Sequence, residues 1–161
     1  YHLGFVLGPR INAGGRVGKA SIGSRLLCSV NPMEAKQLAD ELNGFNQERK
    51  DIEGFVLEQS IEMLEGTPQS WPMAFVYNKG WHQGVIGIVA GKLKERYNLP
   101  AFVMSIEDDE VKGSARSIPG VDLGALIIAA NNLQQLIVKK LKTKFCHITV
   151  PPRLKSWLKR P

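Results

Sequence analysis

Apolar residues recur along this chain in two rhythms, and the change from one to the other divides it. Asn31-Pro32-Met33-Glu34 reads as a helix start, with asparagine as N-cap, proline at the first helical position and Glu34 placed to close a capping box. Beyond it Leu38, Leu42, Phe45, Ile52, Val56, Ile61, Met63 and Leu64 keep a helical spacing. Glu34, Lys36, Asp40, Glu41, Glu48, Arg49, Lys50, Asp51 and Glu53 fill the remaining faces. The spacing predicts a helix to about Glu65, weakened locally at Gly44 and Gly54 and on the order of 50 Å long. That is longer than a small domain needs for itself, so its expected job is connection. Gly66-Thr67-Pro68 ends it, and Gln69 to Pro72 reads as a linker and domain boundary.

From Met73 the rhythm is that of short strands alternating with helices. Met73 to Tyr77 predicts a buried strand and Asn78-Lys79-Gly80 a turn. A helix follows from Trp81-His82-Gln83-Gly84, with Asn98 available to cap its end and Pro100 preventing continuation. Its small residues Gly84, Gly87, Ala90 and Gly91 share one side, which can press close to a strand or a ligand. Ala101 to Ile106 and Val111 to Ser117 predict two strands meeting in a hairpin, with Glu107-Asp108-Asp109-Glu110 as a solvated acidic turn. Ile118-Pro119-Gly120 is a turn and Asp122 an N-cap. Leu123 to about Leu136 predicts a last helix with Leu126, Ile127, Ala130, Leu133 and Ile137 on its apolar face. The fold class expected is therefore α/β, a long connecting helix followed by a small mixed-sheet α/β domain.

The opening is harder to place by rhythm. Gly8 to Lys19 holds four glycines and three cations in twelve residues, a density that predicts a loop and not a regular helix. It reads either as a basic loop lying against an anion or as a flexible entry loop. A short helix from Ser21 to about Ser29 follows, with Ile22, Leu26 and Leu27 for one face.

Composition narrows the partners. With 161 residues, 43% of them hydrophobic and 22% charged, the chain can bury a core, and its formal charge of +6 favours a polyanion such as nucleic acid. Cys28 and Cys146 are far apart without CxxC spacing, which suits reduced thiols in a cytoplasmic protein. The longest apolar runs fall far short of the roughly 20 residues that span a bilayer, so no membrane partner is expected. A first residue of tyrosine suggests a piece of something longer.

Chemistry concentrates in Lys112-Gly113-Ser114-Ala115-Arg116-Ser117. A glycine admits close approach to the backbone, two hydroxyls and a guanidinium can converge on the same oxygens, and guanidinium suits bidentate phosphate binding. His82, between an aromatic residue and a glycine at a helix entrance, reads as a phosphate or pocket ligand or as a structural cap. His2, His82 and His147 are scattered, and the acidic run lacks ligand spacing, so no metal site is expected. Nor is there a serine elbow, a Walker-type loop or a Cys/His pair. The residues supply binding groups and no evident catalyst.

Four blocks carry a resemblance. They are Gly8-Pro9-Arg10-Ile11-Asn12-Ala13-Gly14-Gly15-Arg16, Asn46-Gln47-Glu48-Arg49-Lys50, Gly80-Trp81-His82-Gln83-Gly84-Val85-Ile86-Gly87-Ile88 and Lys112 to Ser117. In this order and at these separations they resemble the RecJ family of single-stranded-DNA exonucleases within the DHH phosphoesterase superfamily, over residues 3 to about 138. The resemblance implies a bacterial 5′-to-3′ exonuclease of recombination and repair, whose DHH domain binds Mn²⁺ or Mg²⁺ to activate water. It implies that residues 1–30 end that domain, 31–68 form the connecting helix and linker, 69–138 form a DHH-associated nucleic-acid-binding domain and 139–161 a basic, atypical tail. The chain would then be incomplete at both ends, inactive by itself and without a metal of its own. Single-stranded DNA is the implied partner, with contacts to other repair proteins, or a dimer through surface bared by truncation, as further expectations. The implied phosphate and strand contacts are Arg10, Asn12, Arg16, Lys112, Gly113, Ser114, Arg116 and Ser117, with Trp81 and His82 lining the cleft. A phosphodiesterase of the same superfamily acting on oligonucleotides or cyclic dinucleotides, or a noncatalytic binding module, are the alternatives. The family's GGGH block is missing after Lys139, which suggests a frameshift or truncation there; His147, with no glycine before it, does not replace it.

Overall fold

In the computed structural model the long helix is continuous, and everything that positions the candidate site is built along it. The structure describes residues 1–66, 71–107 and 110–142, with side chains of the last helix described to residue 133. A π-helical turn, His2–Leu7, leads into α1 (Gly8–Val17), then α2 (Ser21–Cys28), α3 (Pro32–Glu65), β1 (Ala74–Lys79), α4 (Gln83–Tyr97), β2 (Ala101–Glu107), β3 (Glu110–Arg116) and α5 (Leu123–Lys142). Tyr1–Val121 form one unit and the residues from Asp122 onward a second. Asp108, Asp109, half of the expected linker and the segment after Lys142, with His147 and most of the basic tail, lie outside the described residues.

Asn31 caps α3 as expected, its side-chain oxygen accepting from the Met33 N–H at 2.9 Å. The capping box does not form. Glu34 turns to Arg25 at 3.0 Å and to the Ser29 hydroxyl at 3.0 Å, tying α3 to α2. The Arg25 hydrogen bond, then that of Ser29, holds the Glu34 carboxyl below its ordinary range.

The glycine-rich opening is the main correction to the reading by pattern. It is helical, because its glycines are used for close approach and not for turning. A Cβ on Gly14 would stand 3.0 Å from Leu42 of α3, and one on Gly23 would stand 2.7 Å from Ile11. Pro9 sits in the first turn of α1, where its missing N–H costs nothing. Around this contact Ile22, Leu38 and Leu42 are buried, with Ile11, Leu26 and Phe45 packed against them.

The other half of α3 supports a second core. Val56 joins Ala74, Val76, Trp81, Val85, Ile86, Val89, Ala90, Leu93, Ala101 and Val103. Three members of the buried stripe of α3 are polar: Asn46, Glu53 and Ser60. Glu53 was expected on a solvated face; instead it is buried and paired with Arg49 and Lys92.

The sheet has the order β1-β2-β3, with β1 and β2 parallel through α4 and β2 and β3 antiparallel. In β1 and β2 burial alternates. Ala74, Val76, Ala101, Val103 and Ser105 are buried, while Phe75, Tyr77, Phe102, Met104 and Ile106 are half-buried on the opposite face. Asn98 ends α4 in the left-handed region at φ 50°, as its position before Pro100 suggested.

In the second unit Asp122 caps α5, accepting from the Ala125 N–H at 2.9 Å. The helix continues to Lys142, past the expected end near Leu136. The apolar face is exposed at Leu126, Ile127 and Leu133.

Candidate nucleic-acid interface

Strand register decides which side chains of the Lys112–Ser117 motif can act together. Lys112 pairs with Ser105, Ser114 with Val103 and Arg116 with Ala101, so all three point to the face that α4 covers. Gly113 pairs with Met104 and faces the other way, where a Cβ would come within 3.2 Å of the Met104 side chain. Its lack of a side chain serves packing on the opposite sheet face. Ser117 also leaves the group, because its hydroxyl donates to the carbonyls of Ile118 and Val121 in the turn that follows β3. Lys112 is exposed and leans toward Glu110, 3.6 Å away.

Ser114 and Arg116 meet α4 at Gly87. A Cβ there would lie 3.1 Å from the Ser114 hydroxyl oxygen and 3.3 Å from an Arg116 guanidinium nitrogen, so only glycine leaves both side chains room on this helix. The guanidinium also donates to the Ser114 hydroxyl at 3.3 Å and to the Ala115 carbonyl at 2.9 Å. These contacts are exposed, and an incoming anion can replace them.

One turn earlier, α4 meets α1. Arg16 donates to the Gly84 carbonyl at 3.0 Å, and a Cβ on Gly84 would stand 2.3 Å from the Arg16 carbonyl oxygen. His82 is the N-cap of α4, its Nδ1 accepting from the Gly84 N–H at 3.1 Å, which places the ring proton on the exposed Nε2. Gln83 donates to Glu107 at 2.6 Å and joins the first turn of α4 to the end of β2. Glu107 is thereby a tether, where the pattern had suggested a purely solvated turn. The first turns of α4, with their positive dipole end, thus gather Arg16, His82, Ser114 and Arg116.

The other expected residues lie elsewhere or do other work. Trp81 is 2% exposed and belongs to the core; its indole N–H donates to Gln59 at 2.7 Å, so it lines no cleft. Its burial follows from position, since the Ser105 hydroxyl holds its carbonyl and fixes the chain as α4 begins. Arg10 donates to Asn43 of α3 at 3.1 Å and to the Val6 carbonyl at 2.7 Å. Six residues separate it from Arg16, about 120° around α1, so the two cations face different ways. Asn12 is exposed on the same helix. The residue that pattern reading under-used is Gly87, whose signal was the small-residue spacing along α4. Among the described residues no three of His, Cys, Asp and Glu are grouped to hold a metal ion.

Residues 71–134 match the family model of the DHHA1 domain. Over 126 residues the chain is 44% identical to the single-stranded-DNA-specific exonuclease RecJ of Escherichia coli (strain K12), covering 75% of this chain and 22% of that protein. The chain is a RecJ relative with a DHHA1 domain. It spans about a fifth of the length of the RecJ protein it matches. The fold agrees. The crystal structure of RecJ from Thermus thermophilus in complex with Mg²⁺ superimposes with a TM-score of 0.72 at 29% identity, over 82% of this chain and 20% of that one. Its Mn²⁺ complex matches equally well, with a TM-score of 0.72 over 82% of this chain and 19% of that one. Among the described residues no helix is long and apolar enough to cross a membrane.

Proposed function

We propose that this chain is the strand-holding part of a RecJ-type exonuclease that digests single-stranded DNA from its 5′ end in recombination and repair. The observation that carries the reading is the seat at Gly87, where a hydroxyl and a guanidinium from β3 lie together against the first turns of α4. Ser114 and Arg116 hold a DNA phosphate there, Arg16 extends the positive surface toward α1, His82 offers its remaining ring N–H, and Lys112 adds a more distant charge. Contacts of this kind position a strand without reading its bases.

The divalent metal named for the Thermus structures does not fit the described residues, which offer no grouped set of ligands. No hydrolytic step is therefore assigned to these side chains. In this reading, hydrolysis belongs to the metal-binding DHH domain of a complete RecJ-type protein.

Fluorescence anisotropy with labelled single strands, carrying a 5′-phosphate or a 5′-hydroxyl, tests the reading. The chain is expected to bind both, with the phosphate form tighter and with affinity falling steeply as salt rises. Arg116→Ala should weaken binding and reduce the slope of log affinity against log salt by about 0.7, the value for one lost phosphate contact to a single strand. An unchanged affinity at low salt would remove Arg116 from the site. Nucleotide release by this chain alone with Mn²⁺ would overturn the assignment of hydrolysis to another domain.

A further inference from the structure

We infer that the ion pair between buried Glu53 and the half-exposed Lys92 is a positioning device for the phosphate seat, an inference that rests on the function just proposed. Glu53 lies on α3, its side chain 6% exposed, and meets Lys92 of α4 at 2.5 Å. Arg49, one turn earlier on α3, is Glu53's second cation and also reaches Asn46 at 3.2 Å. Burying a carboxylate between two helices adds little to stability once its desolvation is counted, and the best-attested use of such a group is to set register.

A register device is needed at this interface. The covered face of α4 is Val85, Ile86, Val89, Ala90 and Leu93, aliphatic residues whose burial is favourable but not directional. Apolar packing alone tolerates a small slide or roll of the helix. The seat does not. At Gly84 the backbone of α1 occupies the space of a methyl group, and at Gly87 Ser114 and Arg116 stand closer than van der Waals contact to where a Cβ would be. Movement of α4 by a fraction of an ångström closes or opens that seat. Two directional ties run from α3 to this region: Gln59 to the Trp81 indole just before α4, and Glu53 to Lys92 on its later turns. Together they fix α4 along its length.

Charge and position make opposite demands on one variant, and that separates them. Glu53→Gln leaves the chain one unit more positive, so electrostatics alone would keep or tighten strand binding. Positioning predicts roughly tenfold weaker binding. Lys92→Met cuts the same tie from α4 while Glu53 keeps Arg49, so the fold is retained. It should lose a similar factor with an unchanged salt slope, and Lys92→Arg should restore binding. Anisotropy with a 5′-phosphorylated strand, beside Arg116→Ala as the reference, reads these effects. If Glu53→Gln binds as well as the parent, or if Lys92→Met lowers the salt slope as a lost phosphate contact would, the inference is overturned. A readout without DNA separates it from the function itself: the backbone amide NMR signals of Gly84 and Gly87 should shift in Lys92→Met. Shifted signals in a chain that binds no strand would sustain the positioning role while sinking the proposed function. Unmoved signals would sink the positioning role whatever the chain binds.

Discussion

Replacing Gly84 by alanine places a methyl group 2.3 Å from the Arg16 carbonyl oxygen and 2.9 Å from its carbon, inside the 3.0 Å that side-chain carbons keep from their neighbours. Both atoms are backbone, so no rotamer change relieves the overlap. Either α1 or α4 must move, and the Arg16–Gly84 hydrogen bond moves with it. Overpacking of this kind costs about 1–3 kcal/mol, against which the helix preference of alanine over glycine returns about 0.5–1 kcal/mol. A net loss of ~1–2 kcal/mol lowers the melting temperature of a chain this size by roughly 2–8 °C. Thermal unfolding followed by circular dichroism measures it directly. The deletion variant Arg16→Ala separates the two parts of the effect, because it removes the side-chain hydrogen bond and leaves the carbonyl in place. Gly84→Ala should therefore destabilise more than Arg16→Ala. A melting temperature for Gly84→Ala equal to or above that of the parent would refute the seating of α1 on α4, and with it the gathering of Arg16 into the site.

Gly87→Ala should behave in the opposite way. Its methyl meets only the ends of the Ser114 and Arg116 side chains, which can rotate aside, so stability is kept or raised by up to about 1 kcal/mol while strand affinity falls; a variant that binds as tightly as the parent would show that the seat is not used. Gln59→Leu leaves the buried Trp81 indole N–H without its acceptor and should cost about 1–3 kcal/mol in urea unfolding, whereas Gln59→Glu, which keeps an acceptor oxygen, should recover part of it. The Glu34 carboxyl is held low by Arg25 and then Ser29, so its folded pKa lies beneath the unfolded one. Its stabilisation is complete above the unfolded pKa, about 4.3, and is lost as pH falls through the folded value. Glu34→Gln should accordingly flatten the fall of melting temperature on acidification below about pH 4.3 relative to the parent, and identical acid limbs would remove the Arg25–Glu34 tie from the fold.

The elements were legible in the sequence wherever local chemistry sets them. Asn31 with Pro32, Asp122 before an apolar run, and Asn98 before Pro100 mark helix ends through groups within a few residues of one another, and α3, α4 and α5 begin or end where these stand. The alternation of β2 likewise marks it as a strand. The grouping of Ser114 with Arg116 was legible too, because residues two apart on a strand share a face. Glycine was not legible in the same way. A missing Cβ means turn freedom or close approach, and only the partner surface decides which. That is why Gly8 to Lys19 suggested a loop and is, as far as Val17, a helix seated on Leu42 and the neighbouring turns, and why Gly113 serves packing on Met104. Charge and aromatic residues were ambiguous for the same reason. Glu53 carries the pattern of a solvated face and is buried because Arg49 and Lys92 meet it there, and Trp81 beside His82 looks like a cleft residue until Gln59 and Ser105 are found holding it in the core. By itself the sequence determined the helices from α2 onward, the strands and a candidate anion-binding motif, all short-range properties of the chain. Tertiary structure decided which donors of that motif converge. Convergence depends on β3's register against β2 and on how closely α1 and α4 approach, and the atoms that set those distances lie up to 68 residues apart.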